Sequence, residues 1–115
     1  MTENNLQEGT PLLNYAAVTG VIKKRKGINL TRKGIPVIHL LVENTAETWP
    51  GSGKTVVSDI QIDLWGIATS FLDQKLKEGV MIFAEGRLAH KKTEDQAGAV
   101  HFQTVLHASR IEVIS

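Results

Sequence analysis

The feature that most constrains this chain is the two-residue alternation of residues 56–65 (VVSDIQIDLW) and its abrupt loss at Gly66. Ser58, Ile60, Ile62 and Leu64 fall on one face of an extended strand, and Val57, Asp59, Gln61, Asp63 and Trp65 on the other. The first set is expected to be mainly core and the second mainly wet. Past Gly66 the period changes. Ile67, Phe71, Leu72, Lys75 and Leu76 come near helical spacing, and Gly79 supplies a stop just past Lys77 and Glu78, which predicts a helix of about three turns.

Four other segments read as strands: residues 14–24 (NYAAVTGVIKK), 34–44 (GIPVIHLLVEN), 80–90 (VMIFAEGRLAH) and 101–113 (HFQTVLHASRIEV). The first two are joined by the basic loop RKGINLTRK, the last two by the turn-forming TEDQAG, and Gly86 marks a bulge or bend in the fourth strand. Five strands with one helix between the third and fourth is the order of the OB-fold, an all-β barrel. Its strand-two and strand-three face and flanking loops commonly bind oligonucleotides or sugars.

A polar leader over residues 1–9 (MTENNLQEG) is expected to be flexible, and residues 10–115 to form a single domain. At 115 residues such a domain buries a modest core without staples. Cysteine is absent, which excludes a disulfide framework and a thiolate zinc site. No apolar run approaches the ~20 residues of a membrane span, and the N-terminus lacks a signal pattern. A soluble cytoplasmic protein is expected, or an organellar one whose address has been removed.

The stretch WPGSGKTVV at residues 49–57 superficially suggests a nucleotide-binding loop. In G-x-x-x-x-G-K-[ST] the first glycine would fall at Thr48, and the chain beyond Thr55 would have to enter a helix, whereas it carries the alternation of a strand. A Gly/Ser turn between two strands is the better reading.

The net charge of +1 is uninformative, but its distribution is not. No acidic residue lies between Glu8 and Glu43, an interval that holds Lys23, Lys24, Arg25, Lys26, Arg32 and Lys33. Such a local field suits a polyanion; equally, the run could solvate a hairpin or blunt an edge strand. Trp65 shares a polar face, and Trp49 sits beside Pro50 in a loop. Exposed indoles hold single strands by stacking on any base while Lys and Arg neutralise the backbone, although either ring could instead pack against the helix or a subunit partner. Arg87, His90, Lys91 and Lys92 extend from the fourth strand into its loop, where a strand of nucleic acid could pass or water could solvate a hairpin tip. Phe102 is expected in the core or as a minor stacker. His39, His101 and His107 lack a compact metal-ligand spacing and are expected to be hydrogen-bonded structural residues. No arrangement of nucleophile, base or paired carboxylates argues for catalysis. No cofactor or metal is expected.

NTAETW, DLWG, FLDQKLKEG, VMIFAEGRL and KKTEDQAG, in this order and spacing, resemble the bacterial single-stranded DNA-binding protein family over about residues 14–113. GIPVIHLLVE and VLHASRIEVI look equally like the primosomal replication protein N branch of the same fold. The resemblance implies non-enzymatic binding of single-stranded DNA in replication, recombination or repair, with bases stacked on aromatic positions that fall on Trp49 and Trp65. Two further family positions carry Asp59 and Thr93 here in place of tryptophan. At roughly 1–3 kcal/mol per stacked base, this implies weaker or shorter-footprint binding, and Asp59 and Asp63 on the face of Trp65 would repel phosphate. The expected interface is Lys23, Lys24, Arg25, Lys26, Arg32, Lys33, Trp49, Lys54, Gln61, Trp65, Arg87, Lys91 and Lys92. RNA is left open as a ligand, a homo-oligomer (tetramer or dimer) is expected as in the family, and replication proteins are candidate partners. The rival reading is a primosome-like adapter or OB-fold interaction module with nucleic-acid binding secondary. Nothing up to Ser115 resembles the acidic tip with which family members recruit partners, a feature that favours this rival.

Overall fold

The computed structural model describes Gly9 and residues 11–115, so apart from Gly9 the expected leader lies outside the described residues. The elements run β1 (Ala16–Arg25), β2 (Asn29–Leu30), β3 (Pro36–Glu47), β4 (Thr55–Trp65), α1 (Ala68–Leu72), β5 (Met81–Glu94) and β6 (Val100–Val113). The long strands neighbour one another in the order β1-β5-β6-β4-β3, and β1 pairs with β3 to close the barrel. All pairings are antiparallel except β4 with β6, which runs parallel from Gln61↔Val105 to Leu64↔Ala108. The five-stranded OB-fold expected from the sequence is the observed architecture, and β2 is a short addition to β3 inside the basic loop.

Alternation places the core. Ile22 of β1, Ile38, Leu40 and Val42 of β3, Ile62 and Leu64 of β4, Ile82 and Ala84 of β5, and Leu106 and Ile111 of β6 point inward and form one cluster. Beyond the barrel two hairpin arms continue as two-stranded ladders: β3–β4 past Asn44↔Ser58, and β5–β6 past His90↔Thr104. This explains why Val57 and Ser58 are both exposed although they lie on opposite faces.

Two expectations need correction. The helix is only five residues long, starts at Ala68 after Ile67, which gives no side-chain cap, and closes with a tight Lys75 N–H to Leu72 carbonyl bond of 2.9 Å. Of its apolar set, Ile67 is 78% and Phe71 72% exposed, while Leu76 is buried in the core. A short helix depends on packing its apolar face, and half of that face has nothing here to pack against. The second correction is Asp63, which is buried rather than wet. It stands between β3 and β6, with His39 and His107 as its register partners, so neighbours cover it on both sides.

Gly86 is a bulge, as its place in the strand predicts: the β5–β6 register shifts between Glu85 and Gly86. A Cβ at Gly86 would lie 1.9 Å from the His107 carbonyl oxygen, so only glycine permits this approach. Gly86→Ala is therefore expected to lower stability by roughly 3 kcal/mol or more in chemical denaturation. Gly27→Ala, whose Cβ would meet nothing within 4 Å, is the control and should stay within about 0.5 kcal/mol.

Candidate nucleic-acid interface

The outer face of the barrel is built by register. His39 of β3 lies opposite Asp63 of β4, Asp63 beside His107 of β6, and His107 opposite Arg87 of β5. The buried Asp63 carboxylate accepts hydrogen bonds from His39 Nδ1 at 2.8 Å and Gln61 Nε2 at 3.2 Å, as a buried acid must. Arg87 Nη2 donates to His107 Nδ1 at 3.3 Å. The result is a polar row crossing four strands, with one groove on each side of it.

The first groove, about 630 Å³, collects Lys23, Lys24 and Lys26 from the end of β1 and Lys91 from the β5–β6 arm around Leu41, His39 and Gln61. Two segments far apart in sequence thus place four lysines over the β3–β4 face. Lys23 is partly neutralised, because its Nζ lies 3.2 Å from Asp59 Oδ2 and 3.9 Å from Glu43 Oε2. Among the described residues Lys24, Lys26 and Lys91 form no ion pair.

The second groove, about 730 Å³ and open to solvent, holds Trp65, Tyr15, Arg87 and His107. Trp65 is 39% exposed, and its ring centroid is 5.8 Å from that of His107 at a tilt of 43°. The indole thus leans on β6 and leaves surface open to a ligand.

Trp49 and Lys54 belong to the β3–β4 arm. The Glu47 carboxylate accepts hydrogen bonds from Gly51 N–H at 3.2 Å and Gly53 N–H at 3.1 Å, so the amides that would cradle a phosphate already hold an anion. Thr48 N–H bonds the Lys54 carbonyl at 2.9 Å, and the chain enters β4 rather than a helix. The loop is a braced hairpin turn that leaves Trp49 62% exposed. Val37↔Trp65 and Glu47↔Thr55 are the two ends of the β3–β4 ladder, which places the tryptophans roughly 35 Å apart along the strands at about 3.3 Å per residue.

On the other arm, β5 continues to Glu94, so Lys91 and Lys92, like His90, are strand residues and not loop residues. Phe102 lies opposite Lys92 and is exposed, which removes it from the core. At the tip Asp95 accepts hydrogen bonds from His101 Nε2 and from the Ala97 and Ala99 amides, each at 2.9 Å. These bonds, His101 foremost, hold the Asp95 carboxyl below its ordinary value.

The model of the single-strand binding protein family matches residues 13–114. The chain belongs to that family. Membership carries single-stranded DNA binding as the coarse function, and it agrees with an open face of basic and aromatic residues. No curated protein matched the chain. Among the described residues no group of three His, Cys, Asp or Glu could hold a metal ion, and no helix is long and apolar enough to cross a membrane.

Against this face, the residues expected from the sequence divide. Lys23, Lys24, Lys26, Gln61 and Lys91 line one groove, and Trp65 and Arg87 the other. Lys92 stands further out on the β5–β6 arm, Trp49 and Lys54 occupy the β3–β4 arm, and Arg32 and Lys33 an exposed turn closed by the Gly34 N–H to Thr31 carbonyl bond of 2.8 Å. Arg25 also borders the first groove, but its guanidinium is largely buried and turned to the end of α1, where it bonds the Asp73 carboxylate and carbonyl and the Leu76 carbonyl at 3.1 Å. Residue spacing does not point to Tyr15 and His107 as lining residues. Tyr15, read from the sequence as part of the first strand, lies just ahead of β1, and His107 becomes a neighbour of Trp65 only through the parallel β4–β6 pairing.

Because Arg25 satisfies carbonyls left open at the helix end, Arg25→Ala is expected to cost about 1.5–3 kcal/mol of stability. Lys24→Ala, one residue away and exposed, should change it by no more than about 0.5 kcal/mol. Parallel denaturation curves of the two variants check this.

Proposed function

We propose that the chain binds single-stranded DNA without catalysis along the outer face of β3, β4, β6 and β5. Trp65 and Trp49 stack bases, and Lys24, Lys26 and Lys91 are the principal phosphate contacts. The observation that carries this reading is the convergence of unpaired lysines from β1 and from the β5–β6 arm over one face, beside an open groove that holds Trp65. Cations on such a face hold the backbone by releasing counterions, and indoles accept any base, which together give binding without sequence choice. Arg25 is assigned to the helix end and Lys23 to neutralising Asp59 and Glu43, which leaves the face net positive where the strand passes. Lys54, Lys92, Arg32 and Lys33 extend the positive field to either side. Gln61 orients the Asp63 carboxylate and borders the lysine groove.

A second reading, an interaction module acting through protein contacts, draws on the exposed Ile67 and Phe71 of the helix and on Leu12 and Leu13 ahead of β1. Apolar side chains of this size left open favour a partner, and assembly of the chain into a dimer or tetramer would cover some of them. The two readings separate in one titration: tryptophan fluorescence against oligo(dT), oligo(U) and duplex DNA. Quenching by single strands and not by duplex supports the first; no response to any of them leaves the second.

Trp65→Ala and Trp49→Ala are each expected to weaken oligo(dT) binding by about 1–3 kcal/mol, with similar losses on oligo(dA). Binding isotherms from labelled oligonucleotides read this, and unchanged affinity in both variants would remove the tryptophans from the interface.

Salt dependence tests the cations separately. Replacing Lys24, Lys26 or Lys91 with alanine should make the slope of log K against log salt shallower by about 0.7 for each phosphate no longer neutralised. Lys23→Ala should change the slope much less, because Lys23 is already paired with Asp59 and Glu43 and neutralises no phosphate. Equal slopes in all four variants would place the backbone elsewhere.

A further inference from the structure

The groove beside Trp65 contains a second aromatic ring that neither the family pattern nor the basic run points to. Tyr15 lines it and is 59% exposed. Its place is set by its neighbour: the Asn14 side-chain amide donates to the Leu88 carbonyl at 3.0 Å and accepts from Leu88 N–H at 2.9 Å. This imitates one rung of a ladder and pins the chain ahead of β1 against β5, so that Tyr15 is presented from a fixed backbone. Arg87, the residue after the Gly86 bulge, lines the same groove. The one acid among the lining residues, Glu85, is held by Arg110 at 3.0 Å, so it does not stand as a free negative charge.

We propose that this groove is a nucleotide-binding subsite in which one unpaired base stacks on Tyr15 as well as meeting Trp65, while Arg87 holds the adjoining phosphate. The assignment rests on the single-strand reading above and deepens it. Tyrosine suits the task because it offers a π-face at little conformational cost and its exposed ring contributes no core packing. Tyr15 thus supplies a stacking face from the edge of β1.

The test compares Tyr15→Phe, which keeps the ring, with Tyr15→Leu, which keeps an apolar side chain without a π-face, on fluorescein-labelled oligo(dT). Tyr15→Phe should bind within about twofold of the unaltered protein, and Tyr15→Leu about 5- to 100-fold more weakly. The salt slope should be the same for both, since neither change removes a cation from the backbone, whereas Arg87→Ala should reduce it by about 0.7. Sedimentation of each variant reads assembly alongside. Unchanged affinity in Tyr15→Leu, with the tryptophan variants still weakened, overturns the subsite and leaves the single-strand reading standing. A loss in Tyr15→Leu that accompanies a changed assembly state also overturns it, by placing the ring between copies of the chain. If the unaltered protein fails to bind oligo(dT), the single-strand reading itself falls.

Discussion

The structure depends on β1 serving two ladders at once. Val21 is the register partner of Glu43 in β3 and of Met81 in β5, and this double pairing closes a sheet that would otherwise have two open edges. Closure brings backbones together: a Cβ on Gly20 would lie 2.4 Å from the Glu43 carbonyl oxygen. It also forces an irregularity, since the β1–β3 register shifts between Ile22 and Lys24. That bulge decides how the basic run is used. Lys23 reaches back to Asp59, Lys24 comes opposite Leu41 on the outer face, and Arg25 turns to the end of the helix. Consecutive cations thus acquire three separate tasks from one extra residue in a ladder.

Electrostatics on the outer face follow from burial. Asp63 beside Trp65 would oppose a phosphate if it were free, but it is enclosed and hydrogen-bonded to His39 and Gln61, so its charge is held within the polar row. Asp59 is met by Lys23, an exposed pair worth about 0–1 kcal/mol at most. Its consequence is local neutrality rather than stability: one lysine is committed to two carboxylates, and the positive field of the face comes from Lys24, Lys26 and Lys91. Charge is matched in the same way on the braced β3–β4 arm, because Glu47 occupies the glycine amides that resemble a phosphate cradle.

Strand identities were legible because alternation is a local consequence of the two-residue repeat: each of the five long strands lies within a few residues of where its pattern predicts, and Gly86 marked its bulge from sequence alone. The helix was less legible. Periodicity records which residues would share a face, whereas the length of a helix depends on whether a partner buries that face, and Phe71 and Ile67 found none. Asp63 misled for the opposite reason, since a polar residue at an outward position reads as wet until strands on both sides cover it.

By itself the sequence determined the element order, the inward face of each strand and the presence of basic and aromatic residues suited to a single strand, all properties carried within a few neighbouring residues. Only the tertiary structure decided which of those residues meet. Lys91 joins Lys24, and Tyr15 and His107 join Trp65, through pairings between segments tens of residues apart. Arg25 leaves the face of its neighbours because a register shift, invisible in residue spacing, rotates it toward the helix. Side-chain direction follows the ladder a residue enters, and ladders are set by the closure of the whole barrel.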